Sequence, residues 1–250
     1  MENINNIEMK KLVLKLILLF VFFVLLILVA VRWNVQQPVK NLRIVGTSII
    51  PEDEIASLLK GKVIDTPKSN IKLSRLKEEV HSVPLIDEAY SSYKTANEIV
   101  IAVSEKQIEA LLIADNEKKY FVDSDSKLLN YKLYKNLPDL PLLRDITNGE
   151  KVDTLLLQNA ILLIKKIKLI ADSTLLREIS EIYFDKNKRA FILIFNDYGR
   201  EAIVGNKDLF DSSLEKLSIY FQEKRKNNIL EQVSYIDLRY LNSIYFAFNK

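Results

Sequence analysis

The sequence predicts an α+β protein tethered by a single N-terminal membrane-spanning helix, and three stretches predict it. From Leu12 to Val31 every residue but Lys15 is apolar. Between Val39 and Ser104, short apolar strands flank two amphipathic helical patterns. From Glu109 onward, short strands alternate with two longer helical patterns. Helices segregated beside a small or mixed sheet are the α+β solution to burying one apolar face of each element. The chain divides accordingly into a tail, 1–11, a transmembrane helix, 12–31, a first module, 37–106, and a second domain, 107–250.

A helix rises about 1.5 Å per residue, so the run from Leu12 to Val31 reaches about 30 Å, the hydrocarbon thickness of a bilayer. Each central Leu, Ile, Phe or Val favours insertion by about 0.3–0.6 kcal/mol. Lys15 lies one turn inside the run, where its stem carries the ammonium back to the headgroups. A cleaved signal peptide has a shorter apolar core and a small-x-small cleavage site. Here the run is long and is followed by the bulky Arg32-Trp33-Asn34, which favours an uncleaved anchor. Arg32 and Trp33 suit the far interface. Lys10, Lys11 and Lys15 on one side nearly balance Arg32, Lys40 and Arg43 on the other, so charge alone leaves the orientation open. The tail MENINNIEMKK reads as a tether without a fold of its own, and 33–40 as a connector.

The net charge of +3 and the absence of cysteine exclude several classes. Lys plus Arg nearly balance Asp plus Glu, so no field argues for nucleic acid. There is no disulfide framework, thiolate metal site or cysteine nucleophile. Scarce Gly and Pro argue against long disordered linkers.

In the first module, Val39, Leu42, Ile44 and Val45 read as a strand ended by Gly46. Ser48 or Pro51 opens a helix with Glu52, Asp53 and Glu54 in its first turn, where the dipole favours negative charge, and Gly61 stops it. Ile71, Leu73, Leu76 and Val80 space as a second helix, broken at Pro84. Ile86–Ser92 and Glu98–Ser104 read as strands joined by a turn at 94–97.

In the second domain, Ala110–Ala114 and Lys119–Val122 are strands, 123–126 a turn, and Leu137-Pro138-Asp139-Leu140-Pro141 a loop. Asp153 or Thr154 caps a helix to about Ala171, with Leu156, Ala160, Leu163, Ile164, Ile167 and Ile170 as its buried stripe. Gln158, Asn159, Lys165, Lys166 and Lys168 exclude a second membrane span. Glu178–Phe184, Ala190–Phe195 and Glu201–Val204 form an antiparallel meander, with turns at 185–188 and 196–199. Leu209 to about Lys226 is a helix with Phe210, Leu214, Leu217 and Phe221 on one face. Gln232–Leu238 and Ser243–Phe248 are the last strands.

These residues carry a family resemblance. Ile44-Val45-Gly46, Ile55, Leu76, Val83-Pro84-Leu85-Ile86 with Ala89, and Ile99 through Lys106 resemble a POTRA domain beside a membrane anchor, in the pattern of the FtsQ/DivIB cell-division proteins. Gln107 and Ile108 stand where that pattern usually has proline. In the second domain Tyr120-Phe121-Val122-Asp123, Leu137-Pro138, Ala202-Ile203-Val204-Gly205, Lys216-Leu217 and Ile236-Asp237-Leu238-Arg239-Tyr240 with Asn242 resemble the same family.

Catalytic and metal chemistry finds little support. The single histidine, His81, ends a helix without companion motifs and reads as a surface or capping residue. The five glycines form no phosphate loop. Asp123 and Asp125 read as turn residues bonding nearby amides. Asp237 and Arg239, two apart, read as a solvated ion pair, and Lys224-Arg225-Lys226 as charge placed against a helix dipole. No catalytic, cofactor-binding or metal residue is expected.

The final strand, Ser243-Ile244-Tyr245-Phe246-Ala247-Phe248, is different. No charge separates Arg239 from Lys250, whereas exposed sheet edges are usually blunted by charge. The pattern fits a strand buried on both faces equally with an open edge for β-strand addition. The resemblance implies the second. It implies a non-enzymatic scaffold with its N-terminus inside and its body outside the cytoplasmic membrane, at the division septum. Its partners would be FtsB/DivIC and FtsL type single-pass proteins, in a complex linked to the septal peptidoglycan synthase. Carried onto this chain, the family's partner site falls on Tyr240, Asn242, Ser243, Ile244, Tyr245, Phe246 and Phe248. Two alternatives are a POTRA-bearing secretion or envelope-assembly protein and a membrane-anchored enzyme. The absence of long runs of barrel strands weighs against the first.

Overall fold

The computed structural model describes residues 2–115, 117–148, 151–170, 173–196, 199–224, 233–240 and 242–248, with side chains in α1 from Leu12 onward. Two compact units divide at Glu105 and Lys106.

The first unit opens with α1, Glu2–Gln36. The helix runs through the stretch expected to be an unstructured tail and continues past Val31 through Arg32 and Trp33, so the connector shrinks to the residues after Gln36. No helix breaker interrupts either flank. Every side chain from Leu12 to Gln36 is exposed. An apolar helix exposed on all sides has no stable place in water, and its length and composition are those of a membrane span.

After α1 comes a three-stranded sheet of order β1-β3-β2, made of β1 (Asn41–Val45), β2 (Ile86–Tyr93) and β3 (Glu98–Glu105). β3 lies parallel to β1, with Ile44 opposite Ile101, and antiparallel to β2. Helices α2 (Glu52–Val63) and α3 (Leu73–His81) pack against the sheet. Ile55, Leu59 and Val63 of α2 and Leu76 and Val80 of α3 are buried with Ile44, Ala89, Ile99 and Ile101. Gly61 does not end α2. It sits inside the helix, which runs on to Val63, because a glycine stops a helix by adopting positive φ and Gly61 does not.

Gly46 does require its glycine. Its φ is +91°, and a Cβ there would lie 2.2 Å from the Val103 carbonyl oxygen. The loop after it is held by Glu105. That carboxylate accepts hydrogen bonds from the Ile50 amide at 2.8 Å, the Ile49 amide at 2.9 Å and the Ser48 hydroxyl at 2.6 Å. Partial burial pushes the Glu105 pKa up, but these donors outweigh it and hold the group below its ordinary value. A lowered acid contributes stability that is fully present above its ordinary value and is lost as pH falls through the lowered one. Glu105→Gln is therefore expected to destabilise this unit by about 1–2 kcal/mol at neutral pH, discounted for partial exposure. Denaturation followed by hydrogen exchange at β1 and β3 checks it, and the gap between the two proteins should close on acidification.

In the second unit the described residues form a nine-stranded mixed sheet of order β14-β13-β12-β11-β10-β7-β4-β5-β6. Its strands are β4 (Ile108–Ile113), β5 (Lys119–Asp123), β6 (Leu128–Asn130), β7 (Leu142–Arg144), β10 (Ile179–Asp185), β11 (Ala190–Phe195), β12 (Glu201–Gly205), β13 (Val233–Asp237) and β14 (Tyr245–Phe248). A separate small hairpin joins β8 (Thr147–Asn148) to β9 (Lys151–Val152). The expected antiparallel meander is β10-β11-β12. Three parallel joints, β4 to β7, β7 to β10 and β12 to β13, weld it into a single sheet.

Helices α4 (Thr154–Ile170) and α6 (Phe210–Lys224) pack on each other, and their apolar sides join one face of the sheet in a single core. Asp153 Oδ1 accepts the Leu155 and Leu156 amides at 3.0 Å, capping α4 as expected. The buried stripe of α4 is rotated from the expected one: Leu157 and Ile161 are buried, while Leu156 and Ile170 are only half-buried. A short helix, α5 (Ser173–Glu178), precedes β10. Phe210, Leu214, Leu217 and Phe221 of α6 are buried as their spacing requires. The expectations that fell on Ala171, Asp197, Tyr198, Gln232 and the basic Arg225-Lys226 lie outside the described residues, as do those on Leu241 and Lys250.

Candidate docking edge

β14 is the last strand of the sheet order and, among the described residues, pairs on one side only, antiparallel to β13. Tyr245 lies opposite Asp237, Phe246 opposite Ile236, Ala247 opposite Tyr235 and Phe248 opposite Val233. All four residues of β14 are exposed, Tyr245 to 55% and Phe248 to 45%. The alternative of a strand buried on both faces is therefore excluded. In antiparallel pairing, alternate residues turn their N–H and C=O groups away from the neighbour, so an end strand presents an open row of them.

The two faces of this strand differ. Ile244, Phe246 and Phe248 alternate onto the helix-covered face: Ile244 packs on the main core, and Phe246 and Phe248 oppose Ile236 and Val233 of that core. Their rings meet edge to face at 5.5 Å. Tyr245 lies on the opposite face and meets the Tyr240 ring edge to face at 4.7 Å. That face carries a smaller cluster of Ala190, Ile192 and Ile203 with Tyr183, Ile194 and Tyr235 around it. Asn242 and Ser243 are exposed in the turn. The seven residues expected to receive a partner thus form a single strand-and-turn segment at one border of the sheet.

What fixes this border was only partly visible in the sequence. Asp237 and Arg239 do pair, through Nε to Oδ1 at 2.9 Å and Nη2 to Oδ2 at 2.6 Å. The pair is solvated on the arginine side only: Asp237 is 3% exposed, whereas the Arg239 side chain is 31% exposed. It also accepts the Arg239 amide at 3.1 Å and the Tyr235 hydroxyl at 3.2 Å. Burial pushes the Asp237 carboxyl up, but the Arg239 and Tyr235 donors prevail and hold it below the ordinary aspartate value.

Two residues of α6, Ser213 and Lys216, were missed as site residues. The Ser213 hydroxyl donates to Val204 O at 2.8 Å and Leu238 O at 3.0 Å. Lys216 Nζ donates to the carbonyls of Leu238 and Tyr240. Partial burial lowers the Lys216 pKa, and the Asp237 carboxylate opposes that shift. The available signal was two polar residues three apart on the same helix as an apolar stripe. They anchor the end of β13 and hence the path into β14.

The other candidates are placed elsewhere. Asp123 accepts the amides of Asp125 at 2.9 Å and Lys127 at 2.8 Å and is a turn residue. His81 is exposed at the end of α3. Among the described residues no group of three or more His, Cys, Asp or Glu is placed to hold a metal ion.

Comparison with known proteins bears on the first unit. Residues 37–106 match the family model for the POTRA domain of FtsQ type. These residues form an FtsQ-type POTRA domain. With an apolar N-terminal helix before it and a mixed sheet with helices after it, the chain is consistent with the FtsQ/DivIB family. No curated protein matches the chain. The FtsQ-type POTRA domain and the membrane-length helix together point to a membrane-anchored, division-related protein that works by contacts with other proteins.

Proposed function

We propose that this protein is a non-enzymatic division scaffold of the FtsQ/DivIB kind. Its body lies outside the cytoplasmic membrane at the septum. There it receives an FtsB/DivIC type partner, itself joined to an FtsL type protein, as a strand added to β14. Through that complex it helps control septal peptidoglycan synthesis. The observation that carries this reading is the open, uncharged, aromatic border of the sheet at β14, in a chain with an FtsQ-type POTRA domain. Backbone hydrogen bonds would supply affinity along the edge. Tyr245 on one face, and Phe246 and Phe248 on the other, would supply selectivity.

The test uses Tyr245→Lys and Phe248→Lys in the full-length chain, co-expressed with the organism's FtsB/DivIC type protein. Both side chains are exposed, so both variants should fold with unchanged thermal stability. Central aromatic anchors carry about 2 kcal/mol or more each, so capture should fall by about 30-fold or more. Normal capture by both variants would refute the edge as the docking site.

A further inference from the structure

We propose that the last turns of α1 and the 67–70 turn of the POTRA domain form a binding site for one anionic phospholipid of the bilayer. The proposal rests on α1 being a membrane anchor and goes beyond the partner reading. Leu28, Val31, Arg32, Val35 and Gln36 line a groove of about 580 Å³ that Ser69 closes. Their spacing of three, four, seven and eight residues places them along one face of the helix. The face changes character along its length. Leu28 and Val31 are the last turn of the apolar run, at acyl-chain depth. Arg32, Gln36 and Ser69 stand one turn further, at headgroup level.

The wall opposite the helix is held in place. The Lys68 amide donates to Gln37 O at 3.2 Å and its Nζ to Asn34 Oδ1 at 2.5 Å. Pro38 and Pro67 form an isolated bridge, and the Val39 amide donates to Thr66 O at 3.0 Å. The short 68–70 helix therefore travels with the end of α1, and the groove exists before any ligand arrives.

Charge selects the occupant. Among the described residues no carboxylate forms an ion pair with Arg32. Its guanidinium can thus take a phosphate through two parallel N–H bonds. Lys68, the neighbour of Ser69, carries a second positive charge to this level of the helix, its Nζ donating to Asn34 Oδ1. Gln36 and Ser69 offer polar groups to headgroup hydroxyls. A zwitterionic headgroup would bring a choline cation toward the same two cations, so a phosphatidylglycerol-class lipid is favoured.

The experiment reconstitutes the full chain in vesicles of mixed phosphatidylglycerol and phosphatidylcholine. Trace photoactivatable analogues of either lipid are added, and the cross-links are mapped. Phosphatidylglycerol should label the segments around 28–36 and 69 preferentially. Arg32→Gln should lower that labelling about fivefold, the effect expected of one cation at an anionic surface, and leave phosphatidylcholine labelling unchanged. Ser69→Leu, an exposed change that fills the mouth of the groove, should lower it as well. Equal labelling by both lipids, or no response to either variant, overturns the lipid site while the anchor stands. Absence of any labelling along 12–36 overturns the anchor and the site together.

Discussion

Replacing Gly46 with alanine is expected to destabilise the POTRA domain by about 3–5 kcal/mol. Two penalties combine. A side chain at φ +91° is strained whatever its surroundings, by about 1–3 kcal/mol. The new Cβ would also meet the Val103 backbone oxygen at 2.2 Å. That oxygen belongs to β3, which pairs with both β1 and β2, so relief requires moving the central strand of the sheet. A domain of this size has a total stability of about 4–10 kcal/mol, so the variant should be largely unfolded there. Hydrogen exchange over 41–45 and 98–105 is the measurement, and protection in the second unit serves as the internal reference. Gly61→Ala is the control of opposite sign. Nothing lies within 4 Å of its Cβ position, and alanine in a helix is favoured over glycine by about 1 kcal/mol. Protection at β1 and β3 in Gly46→Ala equal to that of the native chain would contradict the account.

Asp237→Asn should be the most damaging conservative change in the second unit, at about 2–4 kcal/mol. The carboxylate is almost wholly buried and neutralises Arg239 through three side-chain hydrogen bonds, from Nε to both oxygens and from Nη2 to Oδ2. Asparagine keeps the volume but turns an amide donor toward the guanidinium, leaving a cation without its counter-charge. The figure lies at or below the range for fully buried pairs because the Arg239 side chain is 31% exposed. Its pH dependence gives a second readout. The folded-state pKa is lowered, so the native chain keeps this contribution above the ordinary aspartate value of 3.8 and loses it as the pH falls through the lowered one. The variant has no such group to protonate, so the two stabilities should converge in acid. Hydrogen exchange over 233–240 and 245–248 reads the effect where it occurs. Capture of the proposed FtsB/DivIC type partner should weaken with it, because β14 takes its register from β13.

Most elements were legible because their signals are local. The α6 stripe of Phe210, Leu214, Leu217 and Phe221 recurs at helical spacing and is buried as read. Asp153 caps α4, and Asp123 closes its turn, through bonds to amides two to four residues away. Errors arose where neighbours distant in sequence decide. Leu156 and Leu157 are equally apolar, and the sheet beneath α4 selects Leu157. Gly46 and Gly61 both looked like punctuation, yet one faces a backbone oxygen from β3 and the other faces open space. Asp237 and Arg239 looked like a surface pair until β12 and β14 flanked them.

The docking edge shows the same division. Ser243 to Phe248 was recognisable from its composition as a strand without charge, and the membrane-length helix and the strand-helix-helix-strand-strand order of residues 37–106 were equally plain from residue pattern. Whether that strand is central or terminal was not, because side-chain alternation records which faces are buried. The hydrogen bonds that join strands run within the plane of the sheet, through backbone atoms that every residue shares. The three parallel joints, the nine-strand order and the open border at β14 therefore emerged from long-range pairing, for which the amino-acid pattern carries no mark.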